Sequence, residues 1–147
     1  MTAEAASIDL TRRESFPHWT SISIRFGDQD IYGHVNNVAI ASYVETCRTM
    51  LINPFLDRAR HPALGYVLAR VAIDYRAEAR YPGTVEAGGR ITRVGGKSFT
   101  SGYGLFVGAS CIATAESVNV FFDTARRQAV APPDDVRARL MASFEGR

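Results

Sequence analysis

Between Phe26 and Arg48 the chain reads FGDQDIYGHVNNVAIASYVETCR: two aspartates, Asp28 and Asp30, then Gly33, His34, Asn36 and Asn37, and then a largely apolar run. A carboxylate can take a proton from water or attack a carbonyl carbon directly. The first turn of a helix carries unpaired N–H groups at the positive end of its dipole, where they can hold an oxygen that is becoming negative. Asp30, placed before a helix that begins near Asn36, sets both kinds of group within a few residues of each other. The same residue types also have purely structural uses, because aspartate and asparagine cap helices and close turns by hydrogen bonding alone. Asp28 is read in that structural way, Asn36 as the helix cap, and Asn37 as the source of a backbone N–H. Three readings of His34 stay open: a ring packed against backbone, a group that orients Asp30, or a second acid–base group.

These residues need elements to hold them. From about Asn36 to Leu51, Val38, Ile40, Ala41, Val44, Cys47 and Leu51 spread round most of a helical circumference, the pattern of a helix enclosed on nearly all sides. Glu45 and Arg48 are polar residues near its end and are expected to pair or to serve a neighbouring subunit. Thr20 to Phe26 alternates Ile22, Ile24 and Phe26 with Ser21, Ser23 and Arg25, the period of a half-buried strand. Pro54 and Pro62 bracket a loop or short helix. Four strand-like segments follow, about Gly65 to Arg76, Gly83 to Val94, Ser98 to Val107 and Ser110 to Phe122, with a hairpin signal at Val94 to Lys97. Strands near ten residues are long for globular proteins and are expected to twist round a filling, here the apolar helix. Pro132 and Pro133 precede a short final helix with Val136, Leu140 and Phe144 on one face. The expectation is an α+β fold in which a long curved antiparallel sheet of about five strands wraps a central helix. Residues 1–18 are expected to form a loosely held arm and residues 19–147 one domain.

The 147 residues include 17 basic and 15 acidic side chains, net +2, a balance that gives no support to nucleic-acid binding. No stretch has the pattern of a signal peptide or the roughly 18 apolar residues of a membrane span, so a cytoplasmic protein is expected, without membrane association. Cys47 and Cys111 lie in apolar surroundings without metal-ligand spacing and read as reduced core residues.

The order strand, buried helix, four strands, together with DQDIYGHVNNVAIASYVETCR, resembles the hotdog-fold thioesterases of the 4-hydroxybenzoyl-CoA thioesterase and acyl-CoA thioesterase type, from about Ser21 to Asp123. Gly96 to Thr100, GKSFT, is similar to the turn that opens the family's fourth strand. The resemblance implies that Asp30 is the catalytic carboxylate, acting as general base or nucleophile, and that an amide at Asn37 polarises the carbonyl. It further implies that Lys97 and Ser98, from a neighbouring subunit or the adjacent strand end, meet the nucleotide or pantetheine. Coenzyme A carries phosphates, and Arg90, Arg93 and Lys97 are available round the hairpin to meet them, although solvated turn charges would have the same sequence. Gly33, His34, Asn36 and Tyr43 complete the expected site. Tyr32 departs from the asparagine of the related plant acyl-carrier-protein thioesterases, and Ile40 stands where the family often has an aromatic residue. The expected activity is hydrolysis of an acyl-CoA thioester to a carboxylic acid and free CoA by a homodimer or homotetramer, with no metal or other cofactor. Hydrolysis of acyl-carrier-protein thioesters and non-catalytic acyl-CoA binding or sensing are the alternatives.

Overall fold

The structure, a computed structural model, describes residues 7–145 together with the backbone of Ala3–Glu4. Its elements are the short strand β1 (Ala3–Glu4), β2 (His18–Ser23), helix α1 (Asn37–Leu56), β3 (Leu64–Tyr75), β4 (Thr84–Val94), β5 (Ser98–Val107), β6 (Ser110–Asp123), β7 (Gln128–Ala129) and helix α2 (Asp134–Glu145). All pairings are antiparallel in one sheet ordered β1-β4-β5-β6-β3, with β2 also on β4 and β7 also on β6. The residues of β4 to β6 that alternate inward, among them Val85, Ile91, Phe99, Tyr103, Leu105, Ala113 and Phe121, are all but inaccessible. They pack round Ile40, Val44, Cys47, Leu51 and Ile52 of α1 in one core, which is the hotdog arrangement of a curled sheet on a central helix. The four long strands lie within a residue or two of their expected bounds, because turns at Gly95 and Gly108 mark their ends clearly; Gly95 N–H closes the first hairpin on Ser98 C=O at 2.8 Å.

Three local expectations are corrected. Phe26 does not extend the first strand: β2 stops at Ser23, the chain turns through a short 3₁₀ segment at Phe26–Asp28, and the Phe26 ring is 73% exposed. α1 does not end before Pro54 but runs through it to Leu56. Pro54 lies on the exposed side, where water can satisfy the carbonyl that its ring leaves without an N–H partner. Nor is α1 enclosed all round, since Val38 and Met50 on its outer face are 71% and 54% exposed.

The segment expected to be loosely held is packed from Leu10 onward, while residues 1, 2, 5 and 6 and the side chains of residues 3 and 4 lie outside the described residues. Phe16 is buried on the outer face of the sheet. Its seat is Gly88 of β4 and Gly104 of β5, directly opposite each other in the ladder. A Cβ on Gly88 would lie 2.6 Å from the Phe16 ring, and one on Gly104 would lie 2.5 Å from the Leu10 carbonyl oxygen. Arg13 stacks over Trp19 and Phe106 at 5.2 and 4.9 Å and donates to Gly108 C=O at 2.7 Å. Buried Arg90 donates to Ser15 C=O at 2.8 Å. Residues 10–16 thus form a strap across the convex face.

Candidate active site

The loop between β2 and α1 is built from its two aspartates outward. Asp28 is buried and is the loop's internal anchor. Its Oδ2 accepts from the Arg25 N–H at 2.9 Å and from the Tyr43 hydroxyl at 2.6 Å, and its Oδ1 accepts from Arg25 NH2 at 3.0 Å. Burial works against ionisation of this carboxyl, but the hydrogen bonds from Tyr43 and Arg25 outweigh it and hold its pKa below the ordinary value. The Tyr43 phenol is pushed well above its usual range, first by burial and then by the adjacent carboxylate. Tyr43, expected among the substrate contacts, is turned inward with its hydroxyl spent on Asp28. The Asp28 carbonyl also accepts from Asn36 N–H at 2.9 Å, which sets where the helix begins.

Asp30 is exposed, and its carboxylate is oriented by backbone. Oδ1 accepts from the N–H groups of Tyr32 at 2.9 Å and His34 at 3.3 Å, while the Asp30 N–H donates to His34 C=O at 2.8 Å. This tight loop needs the left-handed backbone of Gly33, φ +77°. With Oδ1 held, Oδ2 is free to face a reactant. Asn36 is the N-cap, accepting the Ala39 N–H on its side chain at 2.8 Å. Asn37 follows as the first helical residue; it is exposed, and among the described residues no partner engages its side chain or its backbone N–H. One short loop thus carries an oriented carboxylate and leads into an open helix N-terminus, the two kinds of group that activate a nucleophile and receive the charge on a carbonyl oxygen.

The loop rests on the segment after β3. Val35 N–H donates to Ala79 C=O at 2.8 Å, and the rings of Phe26 and Tyr81 meet edge to face at 5.6 Å. Between them opens a pocket of about 320 Å³ lined by His34, Ile40, Tyr75, Glu78, Ala79 and Ile112, among others. His34 is three-quarters buried, and its Nε2 contacts two groups that the sequence reading did not single out, Glu78 at 3.1 Å and Arg80 at 2.8 Å. The available signal was their spacing: charges on either side of a small buried residue in an extended segment share one direction.

Asp30, Gly33, His34, Asn36 and Asn37 are thus brought together, and Arg93, Lys97 and Ser98 are not. Gly83, next to Thr84 at the start of β4, accepts the Ile24 N–H beside the loop, whereas Lys97 follows Val94 at the strand's other end, roughly 30 Å along the strand. Arg93 and Lys97 are exposed there and Ser98 is half-buried. Among the described residues no cluster of three His, Cys, Asp or Glu could hold a metal ion, and no helix is long and apolar enough to cross a membrane.

Comparison with known proteins bears on the family and the fold. The model of the thioesterase-like superfamily matches residues 24–140. Among solved structures, the PA5185 protein of Pseudomonas aeruginosa strain PAO1 is similar at 31% identity and a TM-score of 0.78, over 89% of this chain and 94% of that one. A predicted thioesterase from Bacillus stearothermophilus is 26% identical with a TM-score of 0.78, over 85% and 94% of the two chains. A thioesterase from Thermus thermophilus, solved in complex with coenzyme A and Zn, is 28% identical with a TM-score of 0.76, over 91% and 98%. No curated protein matches the sequence.

Proposed function

Since the chain belongs to the thioesterase-like superfamily, we propose that it hydrolyses an acyl-CoA thioester to a carboxylic acid and free CoA. The observation that carries this reading is the Asp30 carboxylate, held on Oδ1 by two backbone N–H groups in the loop that leads into the open N-terminus of α1. The thioester carbonyl oxygen is received by the first-turn N–H groups at Asn37, while Asp30 Oδ2 either takes a proton from the attacking water or attacks the carbonyl carbon itself. The C–S bond breaks with the electron pair on sulfur, and the thiolate takes up a proton to give free CoA; on the nucleophilic route a water then hydrolyses the acyl–Asp30 anhydride, releasing the carboxylic acid and restoring the carboxylate. The T. thermophilus relative crystallised with coenzyme A supports the choice of carrier.

The working unit in this proposal is a homodimer. One edge of β3 is unpaired in the sheet order, and Val67, Leu68, Val71 and Tyr75 along that strand are 41–56% exposed. A long exposed apolar edge is a template for a second strand. A two-fold antiparallel pairing of two β3 strands would set the start of one beside the end of the other. The ladder places Val67 level with Val120 and hence with Ser98, and Tyr75 level with Ala113 at the pocket end. Such pairing would carry the partner's hairpin, with its lysine and serine, toward the first chain's pocket. Lys97, Ser98 and Arg93 then contact the nucleotide or pantetheine across the interface.

The test is release of thiol from short, long, branched and aryl acyl-CoAs, with the same acyl groups offered on acyl carrier protein. Turnover on CoA with Asp30→Asn slower by roughly 10²–10⁴ in kcat, at unchanged fold, is the expected result. Turnover on the carrier protein alone would replace the CoA reading. Binding without hydrolysis across the panel would make the protein a sensor.

A further inference from the structure

The segment after β3 carries opposite charges on both sides of the residue that anchors the site loop. Ala79 is buried and accepts the Val35 N–H, and its neighbours Glu78 and Arg80 both reach the same atom of His34. Glu78 Oε2 lies 3.1 Å and Arg80 NH2 2.8 Å from Nε2, and the two charged groups are 4.0 Å from each other. One imidazole nitrogen cannot serve both. It either carries a proton and donates to Glu78, or presents a lone pair to Arg80. In the neutral ring the first case leaves Nδ1 its lone pair, and the second puts the proton on Nδ1. Among the described residues no group engages Nδ1, and His34, whose backbone N–H holds Asp30 Oδ1, lines the pocket. The competition at Nε2 therefore decides whether the ring offers the pocket an acceptor or a donor.

The first arrangement gives the ring a charged acceptor. In it Glu78 accepts the ring N–H in a charge-assisted hydrogen bond and keeps its ion pair with Arg80, whose NH2 has to swing off Nε2, since two N–H donors cannot face each other at 2.8 Å. In the second arrangement Glu78 loses the ring. We propose that Glu78 is a positioning residue, holding the Nε2–H tautomer so that Nδ1 is an acceptor available to water or substrate in the pocket, with Arg80 the competitor that takes the ring over when Glu78 is removed. This inference rests on the thioesterase reading for its kinetic consequence but not for its structural one.

Ring nitrogen chemical shifts of His34 at neutral pH, assigned by their loss in His34→Gln, separate the two. The parent shows mainly Nε2–H. Glu78→Ala moves the population to Nδ1–H, and Glu78→Gln, whose amide oxygen still accepts, recovers most of the parent state. In turnover, Glu78→Ala loses about tenfold in kcat at nearly constant KM, less than loss of an acid–base group itself, and Gln restores it. An unchanged tautomer in Glu78→Ala overturns the proposal. So does a tautomer shift with unchanged kcat, which would leave the ring without a part in the reaction. A tautomer shift in a protein that hydrolyses no thioester at all would support the coupling and defeat the thioesterase reading instead.

Discussion

At the scale of single residues, Asp28 and Asp30 stand two positions apart and have opposite environments. Asp30 is open and held only by backbone, while Asp28 is buried beneath it and holds Arg25, Tyr43 and the start of α1 together. Asp28→Asn replaces an oxygen that accepts from Arg25 by an amide that donates, so it costs about 1–3 kcal/mol of stability at pH 7, measured by urea unfolding. Because the folded-state pKa of Asp28 is depressed, its contribution is present above the unfolded value near 3.9 and is lost as pH falls through the lower folded value. The gap between parent and variant should therefore narrow on acidification below about pH 4. The thiols supply a second expectation. Cys47 is inaccessible and its thiol is pushed up to about 12, chiefly by burial, whereas Cys111 is half-buried. An aromatic disulfide reagent should label Cys111 in the native protein and Cys47 only on unfolding. Equal labelling rates would contradict the packing round α1.

At the scale of elements, α2 is tied to the hairpin between β4 and β5. Arg137 donates to the carbonyls of Gly95 and Gly96, immediately before Lys97, and Val136, Leu140 and Phe144 are buried beneath the helix. Arg137→Ala should raise amide exchange in residues 95–98 by at least several-fold while leaving β4 and β6 protected, since opening would be local. Exchange unchanged at the hairpin would mean that the turn holds itself. The long strands, the hairpin turn and the apolar stripe of α2 were legible because their periods and glycine signals are local. The reach of α1 past Pro54 was not, since a proline exposed near a helix end is tolerated. The seating of residues 10–16 also escaped, because its cause lies in Gly88 and Gly104, which read as featureless strand glycines until a ring is seen above them. In the site, the loop residues declared themselves through spacing. Glu78 and Arg80 did not, because the contact with His34 spans more than forty residues.

At the scale of the whole molecule, the long separation between Asp30 and Lys97 in one chain makes the proposed site a property of two chains. That division can be tested by mixing. If each site takes Asp30 from one subunit and Lys97 from the other, Asp30→Asn and Lys97→Ala homodimers are each impaired. Subunit exchange then creates heterodimers with one intact site, recovering up to about one quarter of parental sites. No recovery after exchange, confirmed by mass spectrometry of the mixed dimer, would mean that each site draws both residues from one chain or that Lys97 has no part in it. A charge set into the free edge, Val71→Lys, should shift the sedimentation coefficient toward the monomer and remove activity together with assembly.

The strap across the convex face has a consequence for biosynthesis. Leu10 to Phe16 leave the ribosome before the strands on which they rest, for their seat is made by Gly88 and Gly104. At about 5–20 residues per second the strap waits several seconds for that seat to be translated. Meanwhile Phe16 and Trp19 are without their later ring partner Phe106. The segment made early is thus among the last to dock, and the nascent chain spends that interval with an aromatic pair open to chaperone holdases, a window that closes only when β5 is complete.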